Sequence, residues 1–191
     1  MEYFIPRTSN TTVYVAFLAV LTALTTIATM VIAIPFPTST GFLNFGDTLV
    51  MLSGLLLGPL GGFIAGGVGS AMGDVFLGYL HFAPITLVVK GCEGLAVGLF
   101  SRRAMKATRL TQWDIAGILV ASFIMLTGYF LAEIPLVGLE AAMAELLFLN
   151  VFQVAAGSIV TILVGPVVRN FVRDYLREAD ETVFGISEHE V

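Results

Sequence analysis

The feature that most constrains this chain is a succession of apolar runs, each close to the length needed to cross a lipid bilayer. A spanning helix takes about 20 mostly apolar residues, and such runs occupy residues 12–34, 60–79, 83–100, 114–134 and 142–168. Residues 47–57 form a further, shorter run, closed by Gly58-Pro59. A tilted short helix and a re-entrant segment both suit it, and the helix count depends on which it is. Hydrophobic residues make up 57% of the sequence and charged ones 12%, against about 45–50% and about 25% in soluble domains. A soluble core in a chain of 191 residues cannot enclose so much apolar surface, so lipid must solvate part of it. The expected fold is therefore all-α, an integral membrane bundle of six transmembrane helices. The first run is too long for the apolar region of a signal peptide and lacks a clean small-residue cleavage site, so it is read as a retained span.

The basic residues set the orientation. Arg7 precedes the first run; Arg102, Arg103, Lys106 and Arg109 lie between the fourth and fifth; Arg169, Arg173 and Arg177 follow the sixth. With six spans these three regions share one side, and the segments on the other side (35–46, 80–82, 135–141) contain no Lys or Arg. The positive-inside rule then makes both termini cytoplasmic. Residues 1–177 form the membrane domain. Residues 178–191, with Glu178, Asp180, Glu181, Glu188 and Glu190, are expected to be an acidic disordered tail that supplies much of the net charge of −5. That charge says little about partners, and nothing basic suggests nucleic acid.

Small residues recur at helical spacing. Ala16, Ala19 and Ala23 lie on the first span, and Gly58, Gly62, Gly66, Gly69 and Gly73 at or within the third. Spacing of this kind lets another helix approach closely in lipid. For the glycines internal packing is the expected use; for the alanines, internal packing and an external partner helix both remain open.

Polar residues inside spans are costly and mark sites or paired charges. Lys90 is the one basic residue within a span, and Asp47, Asp74, Glu93, Glu133 and Glu145 are its acidic company, with Tyr129, Asn150 and Gln153 nearby. At about 1.5 Å of rise per residue these groups collect in the outer half of the membrane. Below Gln153, the rest of the last span is small or apolar except Ser158 and Thr161. This asymmetry suggests a pocket open outside and closed below, where a channel would need polar groups through the full depth. The competing use of Lys90 is a structural ion pair with Asp74 or Glu93, and both uses can coexist if the pair frames the pocket. His81, in a short outer loop, is a rim residue or a ligand contact.

Enzyme motifs are missing: the sequence has no H-E-x-x-H, no G-x-S-x-G and no G-x-x-x-x-G-K-[ST]. Neither catalysis nor a cofactor is expected, and uphill transport would take its energy from another polypeptide or an ion gradient. The single cysteine, Cys92, excludes an intrachain disulfide and a Cys-rich metal site.

An ordered string of motifs carries a family resemblance. Asn44-Phe45-Gly46-Asp47, Leu57-Gly58-Pro59-Leu60-Gly61-Gly62, Gly69-Ser70-Ala71-Met72-Gly73-Asp74, Gly78-Tyr79, Ala83-Pro84-Ile85-Thr86 and Lys90-Gly91-Cys92-Glu93-Gly94 resemble the S components, or substrate-binding subunits, of energy-coupling factor (ECF) vitamin transporters, nearest the hydroxymethylpyrimidine- and pyridoxine-type branch. The resemblance implies a non-enzymatic plasma-membrane protein that captures a small heterocyclic vitamin or precursor, with riboflavin a further candidate. It would dock on a membrane coupling (T) subunit that carries two ABC-type ATPases. Family usage implies coupling-subunit contacts at Ala16, Ala19 and Ala23. It implies a ligand region at Asn44, Tyr79, His81, Thr86, Lys90, Tyr129, Glu133, Asn150 and Gln153. The alternatives from other classes are a stand-alone secondary transporter or channel, which predicts inverted repeats that are not evident, and a membrane scaffold with no ligand.

Overall fold

The protein is described by a computed structural model that covers residues 11–31, 33–35, 42–101, 103 and 107–184. Arg7, Arg102 and Lys106, used above for orientation, lie outside the described residues, as do residues 185–191. The helices are α1 (Thr11–Val31), α2 (Gly46–Leu77), α3 (Ala83–Ser101), α4 (Gln112–Val137), α5 (Leu139–Glu145) and α6 (Val151–Phe184). A π-helical segment, Leu146–Asn150, joins α5 to α6. Two-residue strands β1 (Ile34–Pro35) and β2 (Phe42–Leu43) pair antiparallel between α1 and α2. Among the described residues, five stretches are long and apolar enough to cross a membrane: Thr12–Val31, Gly46–Leu77, Ala83–Ser101, Gln112–Val137 and Leu139–Asp174.

The short apolar run 47–57 is part of α2, which is not one straight rod. Gly58 has φ 76° and ψ −169°, a left-handed backbone that glycine adopts without Cβ strain. Pro59 then begins the next arm, at the helix position proline tolerates best. The two arms fold back on each other. A Cβ on Gly66 would lie 2.8 Å from Val50 Cγ1, and one on Gly62 would lie 2.7 Å from Gly54 Cα. In a straight helix, residues 50 and 66 would be about 24 Å apart. The runs 47–57 and 60–79 are thus antiparallel arms packed against one another.

Helix α3 closes on this hairpin at backbone distance. A Cβ on Gly54 or on Gly62 would strike the Gly94 carbonyl, and one on Gly98 would strike the Gly58-Pro59 peptide. Glycines at these contacts replace side-chain interdigitation with direct backbone packing, which is the main attraction available between helices in lipid. Helix α1 runs parallel to the second arm: a Cβ on Gly61 would lie 2.8 Å from Tyr14 Oη, and one on Gly69 would lie 2.7 Å from Thr25 Cβ. The face of α1 toward α2 is a threonine stripe. Thr25 and Thr29 are buried and donate to the carbonyls of Leu21 and Thr25 (2.8 and 2.9 Å), while Thr26 donates across to the Gly69 carbonyl at 2.9 Å. Ala16, Ala19 and Ala23 are exposed on the opposite side, among Val15, Val20, Leu24 and Ile27. Of their two sequence-level uses, packing inside the bundle is therefore excluded.

At the other end of the bundle α4 and α6 are tied by a charge pair. Asp114 accepts from both terminal guanidinium nitrogens of Arg169 (2.5 and 3.3 Å), and the two residues are buried. Asp114 also completes a capping box with Thr111, whose backbone N–H donates to it at 3.0 Å. Reading Arg169 only as an orientation marker misses this role. Two boundaries also differ from expectation. Helix α4 continues through Pro135 to Val137, three residues past the expected end at Ile134. Helix α6 runs to Phe184, into the stretch expected to be disordered, since a long nucleated helix propagates readily through good helix formers such as Leu, Arg, Glu and Ala.

Gly94→Val tests the backbone packing. The added side chain meets the Gly62 backbone, which cannot rotate away as a side chain could. The expected result is a loss of about 1–3 kcal/mol or more, read as a lowered melting temperature in detergent. Val88→Leu on the exposed face of α3 should leave that temperature unchanged.

Candidate ligand-binding site

Polar side chains from several elements converge on one cavity. Asp74 reaches it from the end of α2, and Phe82 and Thr86 from the turn before α3 and its first turn. Tyr129 and Glu133, one turn apart on α4, form one wall. Glu145, Leu149 and Asn150 from α5 and the π-helical segment, with Gln153 from α6 and Asn44 from the link after β2, complete the lining. The cavity holds about 40 Å³.

Local backbone chemistry explains how these groups arrive. Gly78 ends α2 in a left-handed conformation (φ 87°), and the Tyr79 N–H then donates to the Asp74 carbonyl at 2.8 Å. Phe82 N–H donates to the Tyr79 carbonyl at 2.9 Å, so the tight turn points Phe82 inward. The π-helical segment inserts five-residue spacing between Glu145 and Asn150, which alters the side-chain register of the last span at the cavity wall. Such π segments are found frequently at functional sites.

A buried charge cluster lies beneath. Lys90 Nζ donates to Asp47 Oδ1 and, at 3.0 Å, to Glu93 Oε2. All three residues are buried. Gln153 links this cluster to the cavity mouth: its Nε2 donates to Asp47 Oδ1 at 3.1 Å and its Oε1 accepts from the Asn44 N–H at 2.9 Å. Tyr129 caps the cluster. Lys90 Nζ lies 5.5 Å from its ring centroid, and its Oη donates to Thr86 Oγ1 at 3.0 Å. Lys90 follows Thr86 by one helical turn, about 6 Å along the axis, so the ion cluster is the floor and the cavity stands above it. Further along, Met51, Leu55, Val97, Ile118, Ala121 and Met125 form an apolar core.

Six of the nine residues singled out from the sequence line the cavity: Asn44, Thr86, Tyr129, Glu133, Asn150 and Gln153. Lys90 sits in the floor cluster, paired with Glu93 as one alternative held and with Asp47 instead of Asp74. Tyr79 and His81 belong to the turn at the rim; His81 is exposed and packs on the Phe82 ring, with centroids 4.7 Å apart. The cavity is also lined by Asp74 and Glu145, which the sequence placed in the outer polar group without naming them as ligand contacts, by Phe82, and by Leu149, which the sequence did not single out. The two carboxylates carried a usable signal, an ionisable group within an apolar span. Leu149 carried none, because only the π segment aims it inward.

Charge is unevenly shared. Asp74, Glu133 and Glu145 line the cavity, and among the described residues no Lys, Arg or His does. Glu133 faces Glu145 and Asn150. Asp74 Oδ2, Glu133 Oε2 and Glu145 Oε1 are buried and have no hydrogen-bond partner among the described residues. Orphaned buried acceptors are uncommon and call for a donor. Among the described residues no group of three or more His, Cys, Asp and Glu is arranged to hold a metal ion.

Residues 9–177 match the sequence profile of a family described as ECF-type riboflavin transporter, S component. A Pyrococcus woesei protein described as an uncharacterized protein in the gap 3'region is 42% identical over 135 residues, spanning 71% of this chain and 87% of the relative. The thiamine precursor transporter HmpT of Lactococcus lactis subsp. cremoris is 26% identical over 152 residues, 79% of this chain and 84% of the relative.

The floor cluster makes a direct prediction. Lys90→Met leaves Asp47 and Glu93 buried without a counter-charge, and should cost about 3–5 kcal/mol, seen as a sharply lowered melting temperature. Combining it with Asp47→Asn and Glu93→Gln should recover most of the loss; failure to recover would mean that Lys90 stabilises by packing and not by charge.

Proposed function

The chain belongs to the ECF-type riboflavin transporter S component family, and from that premise we propose that it captures a small heterocyclic vitamin or vitamin precursor at the outer face of the membrane and hands it inward as one subunit of an importer. It is a multi-pass protein of the plasma membrane, in a class of transporter components and not of enzymes. The observation that carries the reading is the one-sided cavity: polar walls above, a buried ion cluster as floor, and apolar packing below.

Counting each arm of α2 as one crossing gives six, which puts Arg103, Arg109, Arg169 and Arg173 on one side and agrees with cytoplasmic termini. In this reading Asn44, Thr86, Tyr129, Glu133, Asn150 and Gln153 contact the ligand, Tyr79 and His81 form its rim, and Lys90 fixes the floor. A cavity of about 40 Å³ accommodates a few waters at about 10–15 Å³ each by the same measure, and less than a heterocycle. Ligand uptake therefore requires the outer wall to open and reclose, and the Gln153–Asn44 bond is a contact that would break and reform. The name of the Lactococcus relative favours a thiamine precursor, with pyridoxine and riboflavin as further candidates.

Energy comes from partners, since the chain carries no nucleotide loop. The partners are a membrane coupling (T) subunit and two ABC-type ATPases, and the exposed alanine face of α1 is the surface offered to the first of them. Release inside follows from tilting of the whole bundle, a rigid-body motion that backbone-packed helices favour over internal rearrangement.

Equilibrium binding of a vitamin panel to the detergent-purified chain tests capture: nanomolar binding of one compound is expected, with no uptake by the chain alone in proteoliposomes. Binding of no vitamin would overturn the reading, and uptake by the chain alone would replace it with a stand-alone transporter. Ala19→Trp tests the partner face. It should abolish uptake in cells that hold the coupling module and leave detergent binding within about twofold of wild type; unchanged uptake would remove this face from the coupling interface.

A further inference from the structure

The end of the bundle away from the cavity carries positive charge that the fold does not neutralise. The acidic side chains described there are Asp114 and Asp174, and each already faces an arginine. Asp114 is buried against Arg169, and Asp174 Oδ1 lies 3.7 Å from Arg173 Nε. Arg103 and Arg109 are exposed and make no ion pair among the described residues.

Both arginines are held at the start of α4. The Arg103 guanidinium carbon lies 4.2 Å from the Trp113 ring centroid, a cation–π contact that steadies the fork of donors. Arg109 follows Thr108, whose carbonyl accepts from Asn170 Nδ2 at 2.7 Å, so the link before α4 is tied to α6 at that point. Arg109 and Trp113 are within about 14 Å even along an extended chain. The end of α4 itself offers an anion little, because Thr111 and Asp114 already cap it.

Trp113 is the second residue of α4, where the span leaves the hydrocarbon. Tryptophan favours that level, since its ring suits apolar and polar surroundings at once. From there toward the midplane Ile115, Leu119 and Phe123 are exposed at successive turns, at 42%, 65% and 67%. Two guanidiniums suited to bidentate phosphate binding thus stand at headgroup depth over an apolar strip. Each part of a phospholipid meets matching surface, whereas a soluble anion would use the arginines alone.

We propose that Arg103, Arg109 and Trp113 form a binding site for the headgroup of an anionic glycerophospholipid, with an acyl chain lying along Ile115, Leu119 and Phe123. Its leaflet is the cytoplasmic one, a placement that rests on the orientation given under the proposed function. The site is separate from the ligand cavity, since Glu133 lies about 30 Å further along α4.

Trp113 is the single tryptophan of the chain, so its fluorescence reports on this site. The full-length chain is placed in phosphatidylcholine nanodiscs that contain a minor fraction of either phosphatidylglycerol or phosphatidylcholine bearing a nitroxide quencher high on one acyl chain. Phosphatidylglycerol should associate roughly 25-fold more tightly at low salt, and Arg103→Gln and Arg109→Gln should each cut that preference about fivefold. The double variant should abolish it, and Arg173→Gln, already beside Asp174, should change it less than about twofold. Equal quenching by the two lipids, or a preference that survives the double variant, overturns the site. So does an equal loss in Arg173→Gln, because a diffuse basic field treats the three arginines alike. Displacement by inorganic phosphate beyond that of sodium chloride at equal ionic strength overturns the lipid assignment in favour of a soluble anion. Loss of cellular uptake in the double variant with the preference intact overturns it in favour of an acidic protein partner. Nanodiscs offer both lipids to both ends of the bundle, so an inverted orientation would leave the preference intact. Vitamin binding in detergent should stay at wild-type strength in every variant, which keeps failure here distinct from failure of capture.

Discussion

Everything above the midplane of this protein depends on how one buried lysine is neutralised. Lys90 sits on α3 within an apolar bundle, where an unpaired ammonium would be prohibitively costly. Its partners come from two places: Asp47 on the first arm of α2 and Glu93 one turn further along α3. Gln153 adds α6 to the same cluster, and Tyr129 adds α4 through its ring face. Four helices are thereby held at one depth. Lys90 is shared between two carboxyls, whose Asp47 Oδ2 and Glu93 Oε1 have no hydrogen-bond partner among the described residues, so the cluster holds no uncommitted positive charge.

That self-sufficiency gives the cavity its character. A free lysine at the floor would make an anion site; a committed one leaves the acidic groups above in control. The same cluster also separates two kinds of packing. Beneath it, glycines 54, 62, 94 and 98 bring backbones into direct contact and Met51, Val97, Ala121 and Met125 fill the remainder. Above it, α5 and the π-helical segment replace a regular helix and leave space. The Arg169–Asp114 pair ties α4 to α6 at the far end, so those two helices are pinned at both ends of the apolar core.

Much of the architecture was legible before any coordinates. The apolar runs located every long helix, and Gly58-Pro59 marked the turn within α2. The polar residues clustered as their depths suggested, and six of the nine residues read as ligand contacts line one cavity. The departures have physical causes. Asp47, not Asp74, meets Lys90, because the choice among nearby acidic residues depends on how the arms of α2 rotate about Gly58. Tyr79 and His81 stay at the rim since the hydrogen-bonded turn after Gly78 spends its one inward position on Phe82. Leu149 gained its place through a π segment, which has no reliable signature in an apolar sequence. Arg169 looked like a surface charge near a helix end, and nothing local announced that Asp114, 55 residues earlier, would bury with it.

The sequence by itself determined solvent, element type and charge economy. Apolar runs of spanning length require lipid, backbone groups in lipid require helices, and a lone in-span lysine requires an acid. It also placed the in-span polar groups together in one half of the membrane, since depth follows from position along a helix. Tertiary structure alone decided which acid answers the lysine and which way α1 turns its alanines. It also decided that two carboxyls from different helices end up facing each other. Those outcomes rest on rotation about helix axes and on the fold-back at Gly58. Both are set by close backbone contacts between segments far apart in the chain, and a one-dimensional pattern does not encode them.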